Sequence, residues 1–233
     1  MLIIIDKKIP DPAKEKLASF GTLLELETRG ITYEAIAGHP DIFFHQSPRH
    51  LFVAPNLPFH YIEMLQQEDI DFIPGEQAVG KQYPASSAYN AVSTDKLLIH
   101  NFRNTDASIT RLLENTQLIH VDQGYTRCNL LALDDQHFIT SDEGIAGVLE
   151  RYDKTCLKVR PEGIILEGFE HGFWGGCCGI YHNKVFILGT LADHPDRQEI
   201  EDFITARGHY IIELYDGPLF DGGSIIFLEH DKY

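Results

Sequence analysis

The sequence predicts an α/β fold, a five-bladed α/β propeller of strand–strand–helix–strand (ββαβ) units around a pseudo-fivefold axis, with one unit split between the termini. Three observations predict it. A short apolar run, a polar turn and a second apolar run recur along the chain, each time followed by helical periodicity and one more apolar run. The second apolar runs begin near residues 2, 51, 97, 138 and 185, too even a spacing for an ordinary open α/β sheet. The first residues supply a second hairpin strand without a first, and the last supply a first without a second. The 233 residues therefore read as one domain, 1–233.

Each element follows from local chemistry. The hairpins run from Asp41–His45 into Leu51–Ala54, from Asn90–Val92 into Leu97–Ile99, from Asn129–Leu133 into Phe138–Thr140, and from Cys178–Tyr181 into Val185–Leu188. Polar residues separate the two runs of each pair, which marks a turn. Ile145, Val148, Leu149 and Tyr152 fall on one helical face, as do Ile200, Phe203 and Ile204, and Ile109, Leu112 and Leu113. Phe59, Ile62 and Leu65 form a weaker face. Asp142 and Asp106 stand where helix caps belong. The closing strands are Asp71–Ile73, Leu118–Val121, Leu157–Val159 and Tyr210–Leu214. The split unit takes Ser224–Leu228 as its first strand and Leu2–Ile5 as its second. Pro12–Phe20 is its helix and Thr22–Leu26 its closing strand.

Composition narrows the function. With 19 Lys and Arg against 35 Asp and Glu, the formal charge is −16. That disfavours a nucleic-acid or anionic-membrane partner, either of which needs a basic face. It suits a small cationic ligand, although acidity also serves plain solubility. No apolar run reaches the length of a membrane span, and Met1–Asp6 is too short for a secretory core. A cytoplasmic protein with four free thiols, Cys128, Cys156, Cys177 and Cys178, is the expectation. No nucleotide motif or zinc-type cysteine pair occurs, and the 12 histidines, of which His39, His45 and His50 lie six and five apart without helical spacing, leave a transition-metal site open but unspecific, so no cofactor and no metal centre is assigned. The sequence is compatible with a homo-oligomer.

In a five-unit ring the axis is lined where each first hairpin strand begins. Those places are His39–Asp41, Tyr89–Asn90, Tyr125–Asn129, His171–Cys177 and Asp221–Ser224. Their glycines either admit a ligand to the backbone or let five strand ends crowd together. Asp122 and Asp221 each stand two residues before a repeat glycine and are candidates to hold a cation, or to cap turns. Trp174 can stack on a cation or anchor the core. Cys177, six residues after His171, is a candidate nucleophile or a small buried hydrophobe. Cys128 is a second candidate, with Arg127 beside it to lower its thiol pKa. Asn90 and Arg127 add polar groups able to touch a ligand.

A closed ring of five such units resembles the pentein fold, that of arginine deiminase, dimethylarginine dimethylaminohydrolase and the amidinotransferases, and of a non-enzymatic ribosome anti-association factor. The strings Asp122–Cys128, His171–Gly176 and Pro218–Ser224 are similar to those of an uncharacterised bacterial family placed in this fold. The resemblance implies a catalytic histidine at His171 and acids that hold a guanidinium. It also implies a cysteine in the Gly-rich string before the fifth hairpin, where Gly222-Gly223-Ser224-Ile225-Ile226 has none. Two readings follow. One is a hydrolase or transferase acting on a C–N bond of a guanidino or amine compound at an axial site, with Cys177 or Cys128 replacing the usual nucleophile. The other is a non-catalytic binding or assembly protein that has lost it.

Overall fold

The computed structural model describes residues 1–113 and 116–229. The chain opens with β1 (Leu2–Asp6), α1 (Asp11–Ala18) and β2 (Thr22–Leu26). A helical turn, α2 (Pro40–Phe43), leads into β3 (Phe44–Gln46), β4 (Leu51–Val53), α3 (Phe59–Gln67) and β5 (Ile73–Pro74). The next unit is β6 (Val92–Ser93), β7 (Leu97–His100), α4 (Ala107–Leu112) and β8 (Gln117–His120). A second helical turn, α5 (Thr126–Asn129), precedes β9 (Leu130–Ala132), β10 (His137–Thr140), α6 (Glu143–Arg151) and β11 (Thr155–Lys158). Then come β12 (Cys178–Tyr181), β13 (Lys184–Ile187), α7 (Arg197–Thr205), β14 (Tyr210–Glu213) and finally β15 (Ile226–Leu228).

The strands make five three-stranded sheets of one design. In each, the middle strand pairs antiparallel with the first and parallel with the third, across a helix. The split unit obeys the same rule. β15 runs antiparallel to β1, with Leu2 opposite Leu228 and Ile4 opposite Ile226, and β2 runs parallel to β1. Middle strands such as β1 and β4 are buried throughout, whereas the closing strands β8, β11 and β14 are largely exposed or half-buried. The helices bury one face each, as the spacing requires: Ala13 and Leu17, Tyr61 and Leu65, Ile145 and Leu149, Ile200 and Ile204. Asp142 caps α6 by accepting from Ile145 N at 2.8 Å, and Asp106 caps α4 by accepting from Ser108 N at 2.9 Å. All four cysteines are free. No helix among the described residues is long and apolar enough to cross a membrane.

One expectation shifts. Asp41–Phe43 and Asn129 do not begin strands but belong to single helical turns. Pro40 at the first helical position has the φ a helix start needs and no N–H to leave unpaired. The turn curls each lead-in segment under its own sheet, toward the axis.

The β1–β15 pairing generates a test. Ile225, Ile226, Phe227 and Leu228 are each at most 4% exposed. Losing such side chains costs about 2–5 kcal/mol apiece, which together reaches the ~5–15 kcal/mol that holds a typical domain. A chain ending at Gly223 is therefore expected to lose its cooperative thermal transition, not merely fray. Residues 230–233, part of that deletion, lie outside the described residues. A truncated chain that melts within a few degrees of the full one would contradict the ring closure.

Candidate functional site

Five lead-in segments meet at the axis and are tied into a circuit. Asp41 N donates to Gly223 O at 3.2 Å, and Ser224 N to Gly176 O at 2.8 Å. Arg127 Nη1 donates to Gly175 O at 2.9 Å and Nη2 to Cys178 O at 3.1 Å. Arg127 N donates to Asn90 O at 2.9 Å, and Asn90 Nδ2 to Asp41 O at 3.1 Å. Every unit is thereby bonded to the next.

Inside the circuit the side chains of His39, Asp41, Asn90, Cys128 and Asp221 are buried, none more than 2% exposed. Cys128 Sγ donates to Asp41 Oδ2 at 3.0 Å and accepts from Asn90 Nδ2 at 3.3 Å. One donor atom each of His39, Asp41 and Cys128 lies within 4.8 Å of the other two. His39 sits between two further acids, its Nε2 3.8 Å from Asp6 Oδ2 and its Nδ1 4.0 Å from Asp221 Oδ1. Asp221 is held by Phe173 N at 2.9 Å and Gly223 N at 3.0 Å. His39 Nδ1, Asp41 Oδ1 and Ser224 Oγ are sealed from solvent and make no hydrogen bond of normal geometry among the described residues, although the Ser224 hydroxyl lies near enough to Asp41 to favour its ionised form and the Asp221 backbone near enough to His39 to favour its protonated form. Gly223 and Ser224 are consecutive left-handed residues, φ +65° and +69°. For serine this costs about 1–2 kcal/mol, and such strain is held where the surroundings enforce it.

Burial sets the electrostatics. It pushes the Asp41 carboxyl up to about 8, with the Asp221 charge adding to it and the Cys128 hydrogen bond opposing. Burial likewise raises Asp221 to about 7, against its two backbone N–H bonds, and Asp6 to about 6. The Cys128 thiol goes well above its ordinary value, through burial first and then the neighbouring Asp41 and Asp221. Burial lowers His39 to about 3, with Lys8 assisting. The cluster is thus a neutral imidazole, a thiol and carboxyls that titrate near neutrality.

A cavity of about 140 Å³ adjoins it, lined by the innermost strand of every unit together with Asp41, Arg127 and Ser224. Drug-sized pockets occupy about 300–1,000 Å³, so this one takes a small group. A larger groove of about 760 Å³ runs over α7 and β14. Lys16 and Arg197 on its rim are exposed, and the buried carboxyls raised toward neutrality, Asp41 and Asp221, are at the axis.

Of the residues picked from sequence, Asn90, Arg127, Cys128 and Asp221 come together. Four do not join them. Asp122 turns its carboxylate to solvent, 91% exposed, facing His120 at 3.6 Å and Arg103 at 3.9 Å. The next residue, Gln123, accepts from Tyr125 N instead. Trp174 is fully buried, edge-on to His194 with centroids 6.1 Å apart, and anchors the core under the fifth unit. Cys177 lies in that same apolar cluster, its Sγ 3.4 Å from Phe173 O and its thiol raised well above the ordinary value by burial. The half-buried His171 ring is 3.2 Å from the adjacent Gly172 O and packs on Phe173. It is Phe173 N, two residues on, that reaches Asp221. His39, Asp41 and Asp6 are the groups that sequence reasoning did not select. His39-Pro40-Asp41 falls at an axial place in the sequence pattern, but the same pattern puts Asp41 at the start of a strand. The Pro40 turn was the signal that could have found it.

The buried groups predict a pH dependence of stability. A carboxyl raised by folding binds more protons folded than unfolded, so its contribution falls as pH rises from about 4 to its folded value. His39, His45 and His100, lowered to about 3, 3 and 4, act oppositely, and stability rises with pH up to about 6.5. Below pH 6.5 the two sets oppose. Between about 6.5 and 8 the Asp41 and Asp221 contribution remains, and stability is expected to fall. Asp41→Asn is expected to flatten that fall. Urea unfolding with EDTA present, followed by fluorescence of the single tryptophan, measures both.

Comparisons with known proteins agree with this geometry. Dimethylarginine dimethylaminohydrolase from Pseudomonas aeruginosa, a cysteine-to-serine variant complexed with citrulline, superposes with a TM-score of 0.56 at 12% identity, over 91% of each chain. Agmatine deiminase from C. jejuni superposes with a TM-score of 0.58 at 8% identity, over 91% of this chain and 87% of that one. An amidinotransferase of saxitoxin biosynthesis from Microseira wollei gives 0.54 at 10% identity, over 91% and 87%. The fold is the pentein fold. No curated protein matches the sequence. Residues 4–226 match the model of DUF6873, a family of unknown function, and the chain belongs to that family.

Proposed function

We propose that the axial cavity binds a small cation of the guanidino or amine class and that the site acts on one of its C–N bonds. The observation that carries the reading is the 3.0 Å contact of Cys128 Sγ with Asp41 Oδ2, beside a second buried carboxyl, Asp221. A buried carboxyl is stabilised as an anion when a cation arrives, so the site gains from a positively charged ligand. A planar guanidinium suits carboxylates that can accept two hydrogen bonds. The structural neighbours named for citrulline and agmatine chemistry support the ligand class.

Asp41 is the base. Raised to about 8, it is poised near the working pH of a general base. A bound cation favours its ionised form and also the thiolate of Cys128. In its ionised form Asp41 takes the thiol proton, sulfur attacks the guanidinium carbon, and an S–C bond forms. The C–N bond to the leaving amine then breaks, and the amine departs with the proton that Asp41 held. Water releases the carbon from sulfur and restores the thiol. Asn90, donating to Sγ, steadies the thiolate, and Asp221 holds the ligand's charge. Arg127 is a positioning residue, since its guanidinium is engaged by Gly175 O and Cys178 O.

The test is a calorimetric titration with arginine, agmatine and methylated arginines, joined to assays for released ammonia or amine. Asp41→Asn is expected to weaken binding at least about tenfold, the scale of a charge-assisted hydrogen bond. Cys128→Ser is expected to retain binding and lose turnover. Asp122→Ala, on the surface, is expected to change neither. If no guanidino compound or simple amine binds, or Asp41→Asn binds as well as the parent, the reading fails.

A further inference from the structure

The same axis carries a constellation with a different chemistry. His39, Asp41 and Cys128 offer an imidazole nitrogen, a carboxylate oxygen and a sulfur within 4.8 Å of one another, and all three residues are buried. From this juxtaposition we infer that the three side chains form a binding site for a thiophilic divalent cation, Zn²⁺.

Geometry supports the size. Zinc bonds run about 2.0–2.2 Å to nitrogen and oxygen and about 2.3 Å to sulfur, so tetrahedral ligands stand about 3.5 Å apart. Cys128 Sγ and Asp41 Oδ2 are already at 3.0 Å, and the full spread of 4.8 Å closes by a side-chain movement of about 1 Å. The metal would take the place of the proton that the thiol now donates to Asp41, and that proton leaves to the buffer.

The second observation is independent of that distance. His39 Nδ1 and Asp41 Oδ1 are buried polar atoms that make no hydrogen bond of normal geometry among the described residues, with only the Asp221 backbone and the Ser224 hydroxyl near enough to act on them weakly. Buried polar groups this poorly satisfied by the protein gain from a ligand that bonds both. Ser224 Oγ, on the wall of the adjoining cavity, is a third. Sulfur and imidazole together select zinc over magnesium or calcium, which want oxygen ligands. Three protein ligands leave a fourth position, and Asp41 also lines the axial cavity, so that position faces a space able to take water or a small anion.

This inference does not rest on the guanidino reading. An organic cation and a zinc ion would compete for Asp41, but each can be tested without the other.

The experiment uses the full chain, stripped with EDTA and kept reduced with a phosphine. Zinc is added, and the bound metal is counted by mass spectrometry after gel filtration. Cobalt(II) then serves as a spectroscopic probe. The expected result is one equivalent of zinc per chain and, with cobalt, a thiolate-to-metal charge-transfer band in the near ultraviolet. Cys128→Ser is expected to abolish the band, and His39→Gln to weaken zinc binding about tenfold or more. Cys177→Ser, outside the cluster, is expected to leave both unchanged. Absence of tight zinc, a cobalt complex without the thiolate band, or a band lost in Cys177→Ser but kept in Cys128→Ser would overturn the inference. Should Cys128→Ser fail to fold, the parent's own cobalt spectrum and the Cys177→Ser control decide. Failure here leaves the guanidino reading untouched, because the guanidino titration can be run on the EDTA-stripped chain, where no metal competes for Asp41.

Discussion

The circuit of hydrogen bonds around the axis is the constraint on which the rest depends. Five separate three-stranded sheets share no ladder, and between their strands run only single bonds such as Gln46 to Phe227 O and His45 to Ser93. The fixing is done by lead-in segments, through Asp41 N to Gly223 O, Ser224 N to Gly176 O, Arg127 to Gly175 O and Asn90 O, and Asn90 to Asp41 O. Several of these bonds, such as Asn90 to Asp41 O, are buried, so they are costly to leave unmade. Each also needs both neighbours in place. Closure at β1 and β15 is therefore a condition for the axis, and the axis in turn holds the sheets in register.

Crowding at the axis and the presence of a site are one arrangement. A Cβ on Gly176 would collide with the Asp221 carboxylate, and one on Gly223 would collide with the His39 ring. The glycines let five strand ends pack together, and the space they vacate is filled by the acid and the imidazole of the cluster. The cost is desolvation. Asp6, Asp41 and Asp221 are all at most 1% exposed, and burial raises all three. A chain selected for stability alone would have filled this volume with apolar side chains. Poorly paired atoms on His39, Asp41 and Ser224, with left-handed backbone at Ser224, concentrate unfavourable terms in one place.

The ring was legible because its signals are local and repeated. Short apolar runs, polar turns and helical periodicity recur at even intervals, with caps at Asp106 and Asp142 marking two of the helices, and the split unit follows from what the two ends lack. The site was half legible. Position along the repeat identified Asn90, Arg127, Cys128 and Asp221, because all lead-in segments converge. Direction was not legible. Asp122 and Asp221 hold similar places before a repeat glycine, yet left-handed Gly223 follows Asp221 and lets its carboxylate fold back to accept Gly223 N, whereas Asp122 is left in solvent and the neighbouring Gln123 bonds Tyr125 N and the α6 cap Asp142. One residue of register decides which side chain meets the axis, and no repeat pattern resolves a single residue. His171 shows the same limit. Its segment reaches the axis, but it is the Phe173 N–H that touches Asp221.

Pseudo-fivefold symmetry explains how a thiol could serve this fold from an unusual place. The resemblance led to a cysteine before the fifth hairpin, in a string that here reads Gly222-Gly223-Ser224. Around a fivefold axis, however, equivalent positions of different units point at a common centre. Cys128 arrives on the α5 turn of the fourth unit and meets Asp41 from the α2 turn of the second. The two turns are repeats of one device, a short helix that tucks a polar side chain beneath its own sheet. What reaches the centre is set by which residue each unit places on that turn, so a sulfur lost from one unit can be supplied by another without moving a strand. Here the carboxylate touches the thiol directly and burial leaves the imidazole neutral, a combination suited to proton transfer through Asp41 and to capture of a metal ion by all three groups.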